Sequence, residues 1–256
     1  MFNIVYDIGA ITDIGNVRKV NQDNVLVLRG KIGKDECSLL VVADGMGGLL
    51  KGELASHIVV EMFKNWWDRD LKEIVNNNIN LNIIKNSIEV TIENINRQIY
   101  SFQENNILTG TTLCLIFIYK KEYILCCVGD SRIYTGNKDN LTQISVDHTW
   151  CEGEIAAGRM ERGDEINHKM KGVLISALGV KMNYMLQSEI GTLKNDYILL
   201  CTDGFYSYIN KNNFFQYIKN SKDCQTILEN AKQEILSRGA NDNLTAVLLN
   251  VKRKFV

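Results

Sequence analysis

Proline is missing from this chain of 256 residues. Its turns must therefore be made by Gly, Asn and Asp, which reach turn geometries through positive φ or side-chain hydrogen bonds. No CxxC pair occurs among the seven cysteines, and their odd number fits reduced, mostly buried thiols rather than a disulfide framework. Histidine is scarce: His57, His148 and His168 share no ligand spacing, which argues against a His-built zinc site. Charge of one sign is lacking too, with 29 Lys and Arg against 30 Asp and Glu mixed along the chain. That balance leaves no electrostatic footprint for nucleic acid or an acidic membrane surface. Long apolar runs are also absent, since the uncharged stretch from Ile107 to Tyr119 falls well short of the ~20 residues that span a bilayer. Asp7 interrupts the first apolar run, so no basic-then-apolar leader pattern is read. The expectation is a soluble, cytoplasmic monomer with neither nucleic acid nor membrane as partner.

What is present suffices for a core: 45% of residues are hydrophobic, and no Pro/Gly/Ser linker divides the chain. One domain over residues 1–256 is expected. Its most informative stretch is SLLVVADGMGG (38–48), in which Leu39 to Ala43 are too few for a helix and β-branched enough for a buried strand. Asp44 then stands at the strand's end, and Gly45, Gly47 and Gly48 are expected to take positive φ and bring carbonyls close to whatever Asp44 holds. Asp-Gly after a strand is also an ordinary hairpin turn, so this stretch decides nothing alone.

The rest of the chain repeats the pattern. Strands are expected at Ile4 to Ile8 and Asn24 to Arg29, the second immediately preceded by Asp23, with Arg18 in the loop between them. Leu54, Ile58, Val59, Met62, Phe63 and Trp66 mark an amphipathic helix, as do Ile84, Ile88, Ile92, Ile95, Ile99 and Phe102, with a loop or frayed helix start over Asn76 to Asn86. TTLCLIFIY and EYILCCVGDSRIY read as two strands joined at Lys120 and Lys121, the second carrying Gly129-Asp130. Residues 142–178 are the least regular, with a short helix from Glu152 to Ala157, and read as a mobile flap. DYILLCTDGF ends a strand in Asp203-Gly204. Ile227, Leu228, Ala231, Ile235 and Leu236 form a helix capped by Gly239, and Asp242 precedes a last buried strand. Strand runs and helix runs are segregated, which favours an α+β fold of mostly antiparallel sheets with helices outside.

Asp23, Asp44, Asp130, Asp203 and Asp242 thus all fall at strand boundaries. If their strands share one sheet end, the carboxylates repel one another and need a cation. Oxygen ligands without thiolate or imidazole select hard ions, so Mg²⁺ or Mn²⁺ is expected. A bridging Asp44 would hold two ions about 4 Å apart, which acidify the water between them into a nucleophile for phosphoester hydrolysis. Arg18 offers a bidentate grip on phosphate oxygens, unless it is simply a surface arginine in an ion pair.

Seven stretches, RKVNQDN, VVADGMGGLLKGELAS, TGTTL, VGDSRIY, IAAGRMERGDEINHKMKGVLISALG, LLCTDGF and GANDNLT, resemble in kind and order the metal-dependent serine/threonine protein phosphatases of the type 2C (PPM) family, in its bacterial-like form. The resemblance runs nearly end to end. It implies a four-layer αββα sandwich, two antiparallel sheets flanked by helices, with the metals in the cleft between the sheets. It implies that Asp44 bridges two core ions, that the Gly45 carbonyl binds one of them, and that Asp203 and Asp242 complete the first ion's shell. Asp23 would act through waters, Asp130 would join Asp203 at a third ion, and Arg18 would bind the substrate phosphate. Residues 147–178 would be a flap that contributes to substrate choice. The implied partners are phosphorylated proteins, with a serine/threonine kinase as functional counterpart in signalling.

Departures from the family pattern are few. Gln22 stands where many members have Glu, which lowers the negative charge at the site. Met46 stands where some members have a histidine credited as general acid. Ile175 and Ser176 replace the usual Thr-Arg before ALG and alter flap contacts. Two rivals are weighed against the phosphatase reading. Cys126 and Arg132 have the Cys-x5-Arg spacing of cysteine-dependent phosphatases, but Cys126 lies in an apolar strand and Asp130 would place an anion where the phosphate must sit. A catalytically weak pseudophosphatase, binding phosphoproteins or a kinase, is opposed by the intact set of Asp44, Asp203, Asp242 and Arg18, while Gln22 leaves it open.

Overall fold

The computed structural model describes residues 2–47, 51–77, 79–102 and 108–255. Its architecture grows from β3 (Asp35–Met46), whose apolar run is continuous because both faces are covered. Leu39, Val41 and Ala43 belong to the core beneath helices, while Leu40 and Val42 belong to the core between two sheets. Antiparallel partners β2 (Asp23–Ile32) and β5 (Leu113–Tyr119) flank β3, and β6 (Glu122–Val128) and β9 (Gln187–Thr192) extend the sheet in the order β2-β3-β5-β6-β9. The short β4 (Gly110–Thr111) pairs with the end of β3.

The second sheet contains β1 (Phe2–Asp13), β7 (Arg132–Gly136), β8 (Leu141–Gln143), β10 (Tyr197–Cys201) and β11 (Leu244–Phe255), in the order β1-β11-β10-β7-β8, again antiparallel. Helices α1 (Gly52–Asp68), α2 (Asp70–Asn77) and α3 (Leu81–Ser101) bury Phe63, Trp66, Leu71 and the isoleucine stripe of α3 against the first sheet. The short α4 (Trp150–Ala156) and α5 (Asp203–Tyr206) follow β8 and β10 respectively. Helices α6 (Lys211–Asn220) and α7 (Cys224–Ser237) cover the second sheet through Phe214, Ile218, Ile227, Leu228, Ala231 and Ile235. The result is the expected αββα sandwich.

Several local expectations need correction. The first three strands run longer than their apolar cores, and Asp23 is the first residue of β2 rather than the residue before it. Asp44 lies two residues inside β3, which continues through Met46. EYILCCVGDSRIY is two strands, because the chain leaves the first sheet at Val128 and enters the second at Arg132. Gly129 turns that corner at φ 96°, where a Cβ would stand 2.6 Å from Thr112 Cγ2. Asp203 opens α5 rather than ending a strand. Within 76–86, α3 begins at Leu81 under an Asn80 side-chain cap, and α2 fills part of the expected loop. The Lys120–Lys121 hairpin and the left-handed Gly239 after α7 stand as expected.

Candidate active site

The inner face of β3 carries Leu40 and Val42 into the core between the sheets, so by the two-residue period of a strand Asp44 points into the same cleft where that core ends. Asp23 is the register partner of Asp44 across β2 and β3 and enters the cleft beside it. From the opposite sheet, Thr202 donates a 2.9 Å hydrogen bond from Oγ1 to Asp23 Oδ2. Asp203 follows Thr202 at the end of β10, Asp242 precedes β11, and Asp130 sits where the chain crosses between the sheets. The five carboxylates therefore do not share one sheet end; they come from both sheets, facing the cleft in which the resemblance sets the metals.

Their mutual influence appears in their acidity. Burial, reinforced by the charges of Asp23, Asp203, Asp130 and Asp242, pushes the Asp44 carboxyl well above the usual range. Burial also raises Asp23 to about 7, with the Thr245 and Thr202 hydroxyls pulling the other way. Asp130 is raised to about 7 by burial and by the charges of Asp203 and Asp147. Asp203 is raised by burial and by Asp242, and its Oδ1 is buried with no hydrogen-bond partner. A buried carboxylate oxygen without a donor costs free energy unless a ligand satisfies it.

Gly45 serves a different purpose from the one its sequence context suggests. It remains in β3, and a Cβ there would lie 2.1 Å from the carbonyl oxygen of Gly52, at the start of α1. The missing side chain lets strand and helix backbones touch. Of the turn glycines, Gly47 takes φ 153°, and Gly48 lies outside the described residues. The Gly45 amide donates to Gln22 O at 3.1 Å, and the Asp44 carbonyl accepts from Thr112 N at 2.9 Å and from Thr111 Oγ1 at 3.0 Å. Asp44 is thereby fixed from both sides of β3.

Arg18 pairs with Asp242, Nη2 to Oδ2 at 2.7 Å, and its side chain is 51% exposed. That ion pair is the plainer of the two roles the sequence allows it, yet it also sets the guanidinium at the rim of the carboxylate bowl. Asn243 holds this loop in place and was not singled out from sequence. It is buried, its Nδ2 donates to Ile14 O at 2.9 Å and Val20 O at 3.1 Å, and its Oδ1 accepts from Gln22 N at 2.9 Å. The only signal for it was a second polar residue in an Asp-Asn turn. Gln22 itself donates from Nε2 to Gly47 O at 3.4 Å.

Arg132 is committed elsewhere. It forks onto Asp147 through Nε and Nη2, at 3.0 and 2.7 Å from Oδ2, and lies 3.8 Å from the Tyr206 ring centroid. Cys126 belongs to the core under the helices, 3.5 Å from Ser188 Oγ, and burial pushes its thiol up to about 12. The Cys-x5-Arg pair is thus split between two environments and forms no phosphate cradle. Asp147 opens the irregular segment, whose base is closed by His148 N to Gly129 O at 2.8 Å and Ile175 N to His148 O at 2.9 Å. Its interior is tied by Arg162 to Glu152 and by Trp150 stacked on His168 at 5.2 Å.

Among the described residues, no three His, Cys, Asp or Glu side chains are drawn together tightly enough to hold an ion as they stand. The chemistry of the donor set nevertheless fits hard divalent cations, being all oxygen, with an orphaned Asp203 oxygen and several carboxyls that resist ionising without a counter-charge. Also among the described residues, no helix is long and apolar enough to cross a membrane.

The sequence profile of protein phosphatase 2C matches residues 16–248. The serine/threonine phosphatase stp of Listeria monocytogenes is 29% identical over 245 residues, covering 93% of each chain. The protein phosphatase PhpP of Streptococcus pneumoniae is 24% identical over 254 residues, covering 97% of this chain and 98% of its own. In three dimensions, the serine/threonine phosphatase Stp1 of Staphylococcus aureus superposes with a TM-score of 0.85 at 26% identity, over 97% of this chain and 96% of that one.

Proposed function

Because this chain belongs to the protein phosphatase 2C family, we propose that it hydrolyses phosphoserine and phosphothreonine on proteins, using Mn²⁺ or Mg²⁺ held by the carboxylate bowl. The observation that carries this reading is the convergence of Asp23 and Asp44 from one sheet with Asp203 and Asp242 from the other, beside a half-exposed Arg18. Asp44, with the Gly45 carbonyl, Asp203 and Asp242, would hold two core ions. Asp23 would act through water, and Asp130 with Asp203 would hold a third. When bound, the ions supply the Lewis acidity that brings water to its hydroxide form near neutral pH.

The chain's own groups do the rest. Arg18 spends Nη2 on Asp242, and its other N–H donors are suited to grip phosphate oxygens and turn the phosphorus toward the bowl. A water oxygen bonds to phosphorus while the bond to the seryl or threonyl oxygen breaks, giving orthophosphate and a free hydroxyl. The leaving oxygen takes its proton from water, because Met46 has none to give. The segment 147–178, clasped at its base by Arg132 and Asp147, is suited to act as the flap beside the bound protein. A kinase that phosphorylates the same proteins is the expected counterpart.

The relatives are named as phosphatases, and nothing favours a non-catalytic binder. The test is hydrolysis of p-nitrophenyl phosphate: turnover should require millimolar Mn²⁺, cease with EDTA, survive iodoacetamide and disappear in Asp203→Ala. Turnover that persists in EDTA and dies on alkylation would overturn the metal-dependent reading.

A further inference from the structure

A cavity of about 300 Å³ opens at the end of β3, lined by Met46, Leu174, Ile175, Ala177 and Val180 together with the polar residues Ser176, Lys181 and Asn183. It is continuous with the site through the backbone. Thr111 exchanges hydrogen bonds with Leu178, N to O at 3.0 and 2.9 Å, and its hydroxyl donates to the Asp44 carbonyl. The cavity wall and the carboxylate bowl are therefore neighbours on one strand end.

We propose that this cavity is a substrate subsite, taking the apolar side chain two residues from the phosphorylated serine or threonine; this rests on the phosphatase reading above. The spacing selects that position. Met46 follows Asp44 by two residues on the same face of β3, a separation of about 6.6–6.8 Å, which is also the separation of side chains i and i+2 on one face of an extended peptide. A phosphorylated residue over Asp44 in an extended segment sets its next same-face side chain over Met46. The volume, at the lower end of the roughly 300–1,000 Å³ typical of ligand pockets, suits one or two side chains rather than a folded partner. Ile175 and Val180 expose 42% and 43% of their surface, apolar area that such a side chain would cover. Lys181 brings a cation into the cavity lining, which disfavours Lys or Arg at that position.

The test uses the full-length protein in Mn²⁺ with phosphothreonine peptides carrying Leu, Ala or Lys two residues before or after the phosphothreonine. The expected kcat/KM is about tenfold higher for Leu than for Ala at one of those positions, with Lys the poorest. Ile175→Asp should reduce the Leu-over-Ala ratio to near one, while kcat/KM for p-nitrophenyl phosphate, which has no flanking residue, falls far less. If Ile175→Asp does not fold, Ile175→Ser with an unchanged melting temperature should halve the ratio or more. Equal kcat/KM for Leu and Ala peptides, with normal p-nitrophenyl phosphate turnover, overturns the subsite and leaves the phosphatase reading intact. No turnover of any substrate overturns the phosphatase reading, and peptide affinities then decide the subsite: tighter binding of the Leu peptide supports it, and equal affinities overturn it.

Discussion

Asp23 and Asp44 stand directly opposite each other across β2 and β3, one buried and one half-buried acid on one face of a sheet. Their cross-strand partnership is a like-charge pair, which destabilises a sheet unless protonation or a cation relieves it. Asp44→Asn should therefore raise the melting temperature in EDTA by a few degrees, about 2–4 °C per kcal/mol of relieved repulsion at this size. The wild type should gain stability in Mn²⁺, by about 2.7 kcal/mol at a hundred times the Kd. Asp44→Asn should lose that gain. A thermal-shift titration of both proteins measures it, and an Asp44→Asn protein less stable than wild type in EDTA would contradict the repulsion argument.

The Arg18–Asp242 pair is exposed, so its own contribution to stability is small, at most about 1 kcal/mol. Arg18→Ala should therefore leave the melting temperature nearly unchanged and raise KM for p-nitrophenyl phosphate about tenfold or more. Arg18→Lys should recover only part of this, because a lysine cannot fork onto two phosphate oxygens. Steady-state kinetics of the three proteins would show it; full rescue by lysine would mean that charge alone matters.

Asn243 separates positioning from chemistry. Replacing it with Ala removes three hydrogen bonds to the loop that ends in Gln22 and leaves the carbonyls of Ile14 and Val20 without this donor. At about 1 kcal/mol per bond, Asn243→Ala should lose roughly 2–4 kcal/mol. Because Arg18 rides on that loop, KM should rise in parallel with Arg18→Ala while kcat changes less. Urea denaturation and kinetics measure both, and an intact KM in a destabilised variant would detach the loop from substrate binding.

Much of this was legible in the residues, for identifiable reasons. β3 and β5 are buried on both faces, so their runs are continuously apolar, and α1 and α3 carry stripes at helical spacing. β9, QSEIGT, is a half-exposed edge strand with neither alternation nor an apolar run, so its residues carry no strand signal. α6 buries only Phe214 and Ile218 among polar residues, and its best signal was the Asn210 cap, whose side chain accepts from Asn212 N and Asn213 N. The acids themselves were visible, but only the family resemblance set the metals between two sheets; the residues alone do not, because a chain crossing between layers at Gly129 to Ser131 looks like continuous strand. Gly45 has the local sequence of a turn residue, because contact with Gly52, seven positions away, has no local signature.

That contact makes Gly45→Ala a sharp test of packing. The added Cβ would meet the Gly52 carbonyl carbon at 2.5 Å as well as its oxygen, both backbone atoms that cannot rotate away. α1 must shift, at a cost of about 1–3 kcal/mol or more, and the end of β3 moves with it. Gly45→Ala should lower the melting temperature and abolish metal-induced stabilisation, whereas Gly33→Ala, at an open left-handed hairpin position, should lower stability without affecting metal response.

His148 supplies the pH dependence best separated from the carboxylates. Its Nδ1 accepts the Gly129 N–H at 3.2 Å, so the ring must be neutral there, and burial lowers its pKa against the pull of Asp147. A basic group whose folded pKa is depressed gives stability that is present above its unfolded value near 6.5 and is lost as pH falls through the folded pKa. Between those two values the unfolded chain binds more protons, so stability must decline on acidification. The His148 imidazole should titrate below 6.5 by NMR, later than in an unfolded peptide. As it protonates, the Gly129–His148 clasp between the inter-sheet corner and the base of the 147–178 segment should open, with amide exchange at Gly129 accelerating over the same range. His148→Gln should remove that exchange transition, and titration of His148 at or above 6.5 would contradict the buried, neutral-acceptor geometry.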